Sequence, residues 1–380
     1  MSTLANHLIP RPWPDTLELD EKKDEDCASM RFDERAPARM ASITDVARAA
    51  EVSSSTVSYV LSGKRPISKE TAERVRRAIQ ELEYRPHAGA RALARARTNV
   101  IALVIPLRAG QNVPVVMEFV AAVVTQARSF DHDVLLLTQD EGVAGLHRVA
   151  TSALADALIV MDVQADDPRI AVLRRIDQPA VLLGLPDRPT GLSCVDLDFA
   201  AAGAQAVDHL ADLGHREIVL VGQPKAVYER NTSYALRLLA GFREAANRRK
   251  LATEVASCEA SSEGLRACLA ETLAKQPGTT ALVVHNEGVR LAVVAALKEH
   301  GRQVPKQMSV VAICPDDMAD TDAVAFTNIA IPAYELGSIA VDMVMRRLES
   351  VAPTETRLLS PVLTVRGSTT GPASKKSSRR

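Results

Sequence analysis

Apolar positions along the 380-residue chain change their spacing near residue 99. Before that point they recur at helical intervals in three short groups: Ile43, Val46, Ala47 and Ala50; then Val57, Val60 and Leu61; then Ala72, Val75, Ile79 and Leu82. Each group follows a residue suited to capping a helix. Ser42 precedes the first, with Asp45 three positions on as a short-chain capping box, and Ser53 and Ser68 precede the others. Pro86 disfavours helix at the residue before it. Residues 88–97 form an alanine-rich, arginine-studded run that is too short to stay helical alone in water.

From Asn99 onward the pattern becomes one of short apolar runs separated by amphipathic stretches. Buried strands are expected at Val100–Ile105, Asp133–Leu137, Ala157–Met161, Ala180–Leu183, Ile218–Val221, Ala281–Val284 and Val310–Ile313. Helices are expected at Val115–Phe130, Ala201–Leu213, Tyr234–Arg248, Gly264–Lys275 and Gly288–His300. Strands without alternation, interleaved with such helices, indicate parallel sheets covered on both faces. Some 270 residues of this pattern suggest two α/β lobes with a ligand between them, at the carboxyl ends of the strands.

The expected division is therefore a disordered acidic extension (1–40), an all-α helix-turn-helix domain (41–86), a hinge helix and linker (87–98), a two-lobe sensor that also dimerises (99–370) and a disordered basic tail (371–380). Charge sharpens this picture. The whole chain carries a net −1, yet residues 41–99 hold eleven bases against six acids, a local +5 suited to phosphates. An apolar fraction of 47% with 24% charged residues describes a folded protein. The five cysteines lack metal-ligand spacing and read as reduced, mostly buried thiols. No apolar run resembles a signal peptide or a membrane span, so a cytoplasmic protein with no membrane partner is expected.

The first two helices, joined by Ala50-Glu51-Val52-Ser53, have the dimensions of a helix-turn-helix. Its second helix would enter the major groove and expose Ser54, Ser55 and Tyr59 to base edges. Ser53, Thr56, Ser58, Lys64, Arg65, Lys69 and Arg91 suit phosphates, which fix register without reading sequence.

The run Ile43-Thr-Asp-Val-Ala-Arg-Ala-Ala-Glu-Val-Ser-Ser-Ser-Thr-Val-Ser-Tyr-Val-Leu-Ser62 resembles the headpiece of the LacI family of bacterial ligand-responsive transcription regulators. The resemblance continues through Tyr84-Arg-Pro-His, Ala90-Arg-Ala-Leu93, Leu213-Gly-His-Arg216, Leu239-Ala-Gly-Phe-Arg243 and Leu363-Thr-Val-Arg-Gly-Ser-Thr369. It implies a periplasmic-binding-protein-like sensor, a homodimer on near-palindromic double-stranded operator DNA, and a hinge helix whose folding depends on a small-molecule effector. It also places Leu93 as the apolar wedge that opens a minor-groove base step, with Ala90 and Ala94 letting two hinge helices approach. Repression is the behaviour it implies, with a ligand-dependent activator or dual regulator as the alternative.

At positions that usually hold ligand the sensor departs from the family. Leu238 stands where sugar-binding members carry arginine, with Arg237 one residue earlier; Cys314 replaces the first acid of a pair that reads Asp316-Asp317; Phe199 follows Asp198 in place of asparagine; and Asn286-Glu287 replaces asparagine–aspartate. Arg237, Asp198, Glu287, Asn286, Phe199, Tyr228 and Asp316 are the expected effector contacts, and an ordinary sugar is not supported. Met117, Val120, Ala121 and Val124 are the expected dimer surface. An exported binding protein would have no use for residues 43–97. An enzyme would need a coherent set of nucleophile, base and orienting group. His132, His147, His209, His215, His285 and His300 are isolated in sequence, and no glycine-rich dinucleotide loop follows the first strand, so neither an enzyme nor a cofactor is expected.

Overall fold

A computed structural model describes residues 41–62, 65–84, 97–108, 111–152, 154–188, 191–320, 324–350 and 352–373. The acidic extension, the hinge helix with Arg91 and Leu93, Lys64 and the final basic residues lie outside the described residues. The chain divides into two compact units at Pro86 and His87, and each is taken by itself.

The first unit holds α1 (Ile43–Ala49), α2 (Ser54–Ser62) and α3 (Lys69–Glu81). All three start on the serines that the sequence offers. Ser42 Oγ accepts from the Asp45 amide at 3.3 Å while Asp45 accepts from the Ser42 amide at 2.9 Å, a reciprocal capping box. Ser53 and Ser68 accept from the amides of Thr56 (3.1 Å) and Thr71 (3.2 Å). Glu51, at φ 54°, supplies the left-handed residue that turns α1 into α2. Val46, Ala47, Ala50, Val57, Val75, Ala78 and Tyr84 fill the core. Leu82, expected in that core, is instead 36% exposed. The helix stops one residue before it, and Glu83 at φ 45° redirects the chain so that the Tyr84 ring packs underneath.

The second unit begins its regular structure with β1 (Val100–Val104), α4 (Val113–Ser129), β2 (Asp133–Leu137), α5 (Gly142–Thr151), β3 (Ala157–Val160), α6 (Ile170–Leu173), β4 (Ala180–Leu183) and β5 (Ser193–Leu197). The chain continues through α7 (Phe199–Asp212), β6 (Glu217–Gly222), α8 (Lys225–Glu229), α9 (Ser233–Arg249), β7 (Ala252–Ser257), α10 (Ser262–Lys275) and β8 (Ala281–Val284). After a 3-10 turn (Glu287–Val289) come α11 (Arg290–Glu299), β9 (Ser309–Cys314), α12 (Asp316–Ala319), β10 (Thr327–Ala330), α13 (Ala333–Glu349), β11 (Thr356–Leu359) and β12 (Leu363–Thr364). The strands at 193–197, 252–257, 327–330, 356–359 and 363–364 and the helix at 333–349 were not expected from the pattern.

Among the described residues the strands form two six-stranded sheets, ordered β11-β5-β4-β3-β1-β2 and β12-β10-β9-β8-β6-β7. Every pairing is parallel except that of β12 with β10. Each sheet is the floor of one lobe. Because β5 and β11 belong to the first sheet and α7 and β12 to the second lobe, the chain crosses between lobes after β5, after β10 and after β11. The loops that end the parallel strands therefore converge on the crossing region.

The second lobe depends on the close contact of α7 with α9. Gly203 faces the Leu238 carbonyl and the Phe242 amide, and Gly241 faces the Ala200 carbonyl, each so closely that a β-carbon would collide with backbone. Only hydrogen fits between these helices, and no side-chain rotation relieves the clash. Among the described residues no helix is long and apolar enough to cross a membrane. Gly241→Ala should lower unfolding free energy by roughly 1–3 kcal/mol, the usual penalty of overpacking, as read from urea denaturation of the full chain. An unchanged midpoint would show that the two helices can separate without cost.

Candidate functional site

Two features carry chemistry, one in each unit. In the first unit, α2 turns Val57 fully inward, so Ser53, Ser54, Ser55 and Tyr59 lie on its exposed side, with Thr56 and Ser58 half-buried. The Thr56 hydroxyl is within 2.9 Å of Ser53 Oγ, which ties it into the cap. Arg65 lies over the Tyr59 ring at 5.9 Å, a cation–π arrangement that puts a positive charge beside the exposed helix face. Lys69 is exposed at the start of α3.

In the second unit a cavity of about 140 Å³ opens between the lobes. Ile105, Val115, Val116, Phe119, Met161 and Val163 line it from the first lobe, with Asp162 and Asp196; Phe199, Gln223, Tyr234, His285 and Glu287 line it from the crossing and the second lobe. Three rings form one cluster, with centroids 5.5 Å apart for Phe199 and Tyr234, 5.9 Å for Phe199 and His285, and 5.6 Å, edge-on, for Tyr234 and His285.

Of the seven expected effector contacts, the structure brings Phe199 and Glu287 into this wall. Arg237 stands behind it: its guanidinium reaches the Asp196 carboxylate at 2.7 Å and the Leu197 carbonyl at 3.3 Å. Asp198 caps α7 by accepting from the Ala201 amide at 3.0 Å. Asn286 is buried and donates to the Cys258 carbonyl at 2.7 Å. The Tyr228 hydroxyl accepts from the Gln223 amide at 3.3 Å, and Asp316 pairs with Arg366 at 2.9 Å. These five orient the walls and are not among the residues lining the cavity. Asp162, Asp196, Gln223 and His285 line the cavity but were not singled out as contacts. Tyr234 lines it too, from the start of α9.

Burial sets the electrostatics. It pushes the Asp196 carboxyl up to about 7 despite the opposing Arg237, and it pushes Glu287 up as well. Glu118 of α4 is likewise pushed up to about 7 by burial, then by Asp317 and Glu287, so acids of both lobes repel across the cleft. His285 is fully buried, neither ring nitrogen has a hydrogen-bond partner, and burial pushes it down to about 3. A neutral imidazole with two unmatched ring atoms costs free energy until something bonds to it. The two arginines that reach its wall carboxylates are bound to them, Arg237 to Asp196 and Arg108 to Asp162. The cavity thus offers aromatic faces, an imidazole and protonatable carboxyls, and no unmatched positive charge among the described residues. No cluster that could hold a metal ion occurs among them.

The stripe expected to pair two copies divides. Met117, Ala121 and Val124 are exposed on α4, with Met117 at 46% and Val124 at 45%. Val120, at 8%, sits at the edge of this stripe and packs into the core.

A three-helix unit with a hydroxyl-rich exposed helix and Arg65 and Lys69 beside it, followed in the chain by a two-lobe α/β unit with a cavity between its lobes, has the make-up of a ligand-responsive DNA-binding regulator. The model of the bacterial regulatory proteins of the lacI family matches residues 42–87, and that of the periplasmic binding protein-like domain matches residues 207–369. HTH-type transcriptional regulator PtxS of Pseudomonas aeruginosa is 30% identical over 334 residues, covering 86% of this chain and 95% of the relative. The ribose operon repressor of Escherichia coli K12 is 27% identical over 341 residues, covering 87% and 100%. The chain belongs to the LacI family of transcription regulators. Among solved structures, the lac repressor dimer bound to operator and the anti-inducer ONPF has the same fold, with a TM-score of 0.74, 24% identity, and coverage of 87% and 99%. A CelR–cellobiose complex gives a TM-score of 0.61 at 25% identity, covering 86% and 99%. These relatives are transcriptional regulators and repressors by name.

The position of His285 has a measurable consequence. Its folded value lies near 3 against an ordinary 6.5, so between those values the unfolded chain takes up a proton that the native protein refuses. Stability is therefore lost as pH falls through that window. His285→Phe, which keeps a ring beside Phe199 and Tyr234, should reduce the acid slope of unfolding free energy between about pH 6 and pH 4 by roughly one proton, about 1.4 kcal/mol per pH unit. Some slope persists, since burial lowers His209 and His215 too. An identical slope in the variant would contradict the assignment.

Proposed function

We propose that this protein is a repressor that binds a near-palindromic operator as a homodimer and changes its grip when a small molecule enters the cavity between the sensor lobes. The observation that carries the reading is the exposed face of α2. There Ser54, Ser55 and Tyr59 stand free for base edges, while Arg65 and Lys69 supply charge for phosphates. The names of relatives support repression, and the operator-bound lac repressor dimer supports two-fold assembly. The apolar stripe of Met117, Ala121 and Val124 supplies surface for the partner copy.

The effector in this reading is small and carries no net negative charge. It bonds to His285 and Glu287 and stacks against Phe199 and Tyr234. Cellobiose in the CelR complex shows that a relative takes a neutral sugar. In the present cavity Arg237 is committed to Asp196, which leaves the imidazole and carboxyls to hold the ligand.

Selection of binding sequences from a random DNA pool with the full chain tests the reading. An inverted repeat should be enriched, with affinity falling steeply as salt rises. Leu93 lies outside the described residues and takes its wedge role from the resemblance. Leu93→Ala should therefore keep fold and oligomeric state yet lose tenfold or more in affinity at fixed salt. Binding that depends on salt without any sequence preference would overturn the operator reading. Undiminished affinity in the variant would overturn the wedge.

A further inference from the structure

A second cavity, of about 240 Å³, lies beside the first at the carboxyl ends of β1 and β2. Four arginines line it: Arg108, Arg148, Arg169 and Arg230. Three have carboxylates built for them. Arg108 pairs with Asp140 at 2.8 Å and with Asp162, Arg148 with Glu141 at 2.8 Å, and Arg169 with Asp167 at 2.7 Å. Arg230 has no hydrogen bond or ion pair for its guanidinium among the described residues, and its Nε is buried without a partner. Of the four guanidinium groups in this wall, that of Arg230 alone has no carboxylate bonded to it among the described residues.

Two features place that charge. Arg230 follows α8 in the second lobe, and the residues after it are held to the first lobe by backbone bonds. Asn231 O accepts from the Ala165 amide at 2.8 Å, and the Ser233 amide donates to Val163 O at 2.9 Å. The opposite wall belongs to the first lobe and includes Gly142 and Gly145 of the first turn of α5, a ten-residue helix whose N-terminus has no side-chain cap. Free amides at such a terminus favour negative charge.

We propose that this second cavity is an oxyanion site, in which a carboxylate or phosphate group is held by the fork of Arg230 and bridges the two lobes. The guanidinium geometry matches two oxygens of either group. Burial and then the neighbouring Arg108 oppose the Arg230 charge more than Tyr234 and Asp140 favour it, so a bound anion lowers an existing cost. The main cavity, with its neutral imidazole and protonatable carboxyls, has the opposite preference. The Arg108–Asp162 pair separates the two: Asp162 belongs to the first wall and Arg108 to the second. An anion touching both lobes favours the arrangement in which both can reach it, so it acts on the same lobe geometry as the effector.

The test is thermal melting of the full chain, without DNA, titrated with inorganic phosphate and separately with D-gluconate, against sodium chloride of equal ionic strength. The absence of DNA makes the outcome independent of the operator reading. A saturable rise in Tm beyond the chloride control is expected with at least one anion, and which one distinguishes a phosphoryl from a carboxylate ligand. Arg230→Gln should weaken that binding at least tenfold. Arg230→Lys, which keeps the charge and loses the fork, should weaken it several-fold while folding normally. Glu287→Gln in the main cavity should leave it intact. No saturable rise with either anion, a rise no larger than that with chloride, or a rise undiminished in the Arg230→Lys protein would overturn the proposal.

Discussion

The pairing of Asp196 with Arg237 organises the sensor. Asp196 is the last residue but one of a strand of the first sheet, just before the chain crosses over, and Arg237 lies on the helix that packs most closely on the first helix of the second lobe. The bond at 2.7 Å thus ties the crossing segment to the far lobe and sets where Phe199 enters the cavity wall. Both partners are largely removed from water, with side-chain exposures of 6% and 16%, so neither is replaceable alone. Removing one member of such a pair leaves an uncompensated charge, which typically costs 3–5 kcal/mol. The same pair closes the arginine to ligands.

This commitment explains the unusual polarity of the main cavity. An arginine that would otherwise face a ligand is spent inside the protein, and the groups left facing the space are carboxyls pushed towards neutrality and an unprotonated imidazole. Such groups exchange hydrogen bonds with an uncharged or cationic molecule at little electrostatic cost, and reject anions. Positive charge without a partner is found instead next door, around Arg230. The two cavities differ in the charge of their linings and share the Arg108–Asp162 pair as their boundary.

Much of the fold was legible in sequence because its signals are local. Capping serines act over three residues, and the runs at β3, β4 and β8 are apolar throughout since both faces are covered. Where distant partners decide, the pattern failed. β5 contains Ser193 and Asp196, yet all five of its residues are buried, because Glu355 and Arg237 satisfy the polar atoms from far along the chain. α13 does carry a helical period, with Glu335, Ser338, Asp342, Arg346 and Glu349 set between buried residues. The cavity residues suffered as β5 did. Glu287 and Phe199 were named from neighbouring motif positions, but Arg237 was read as facing ligand since its partner Asp196 was not recognised as a strand end. His285 looked isolated because Phe199 and Tyr234 reach it only through the fold.

The central claim is that occupancy of the cavity and affinity for operator are one coupled equilibrium. The direct measurement takes a metabolite that raises the melting temperature of the full chain and not of Glu287→Gln, then determines operator affinity with and without it. The affinity of the metabolite is determined with and without operator in turn. Linkage requires both ratios to be the same number, and a coupling of 1–3 kcal/mol makes that number roughly 5–150. Equal ratios in that range are the predicted result; a ligand that occupies the cavity and leaves operator affinity unchanged would contradict the account.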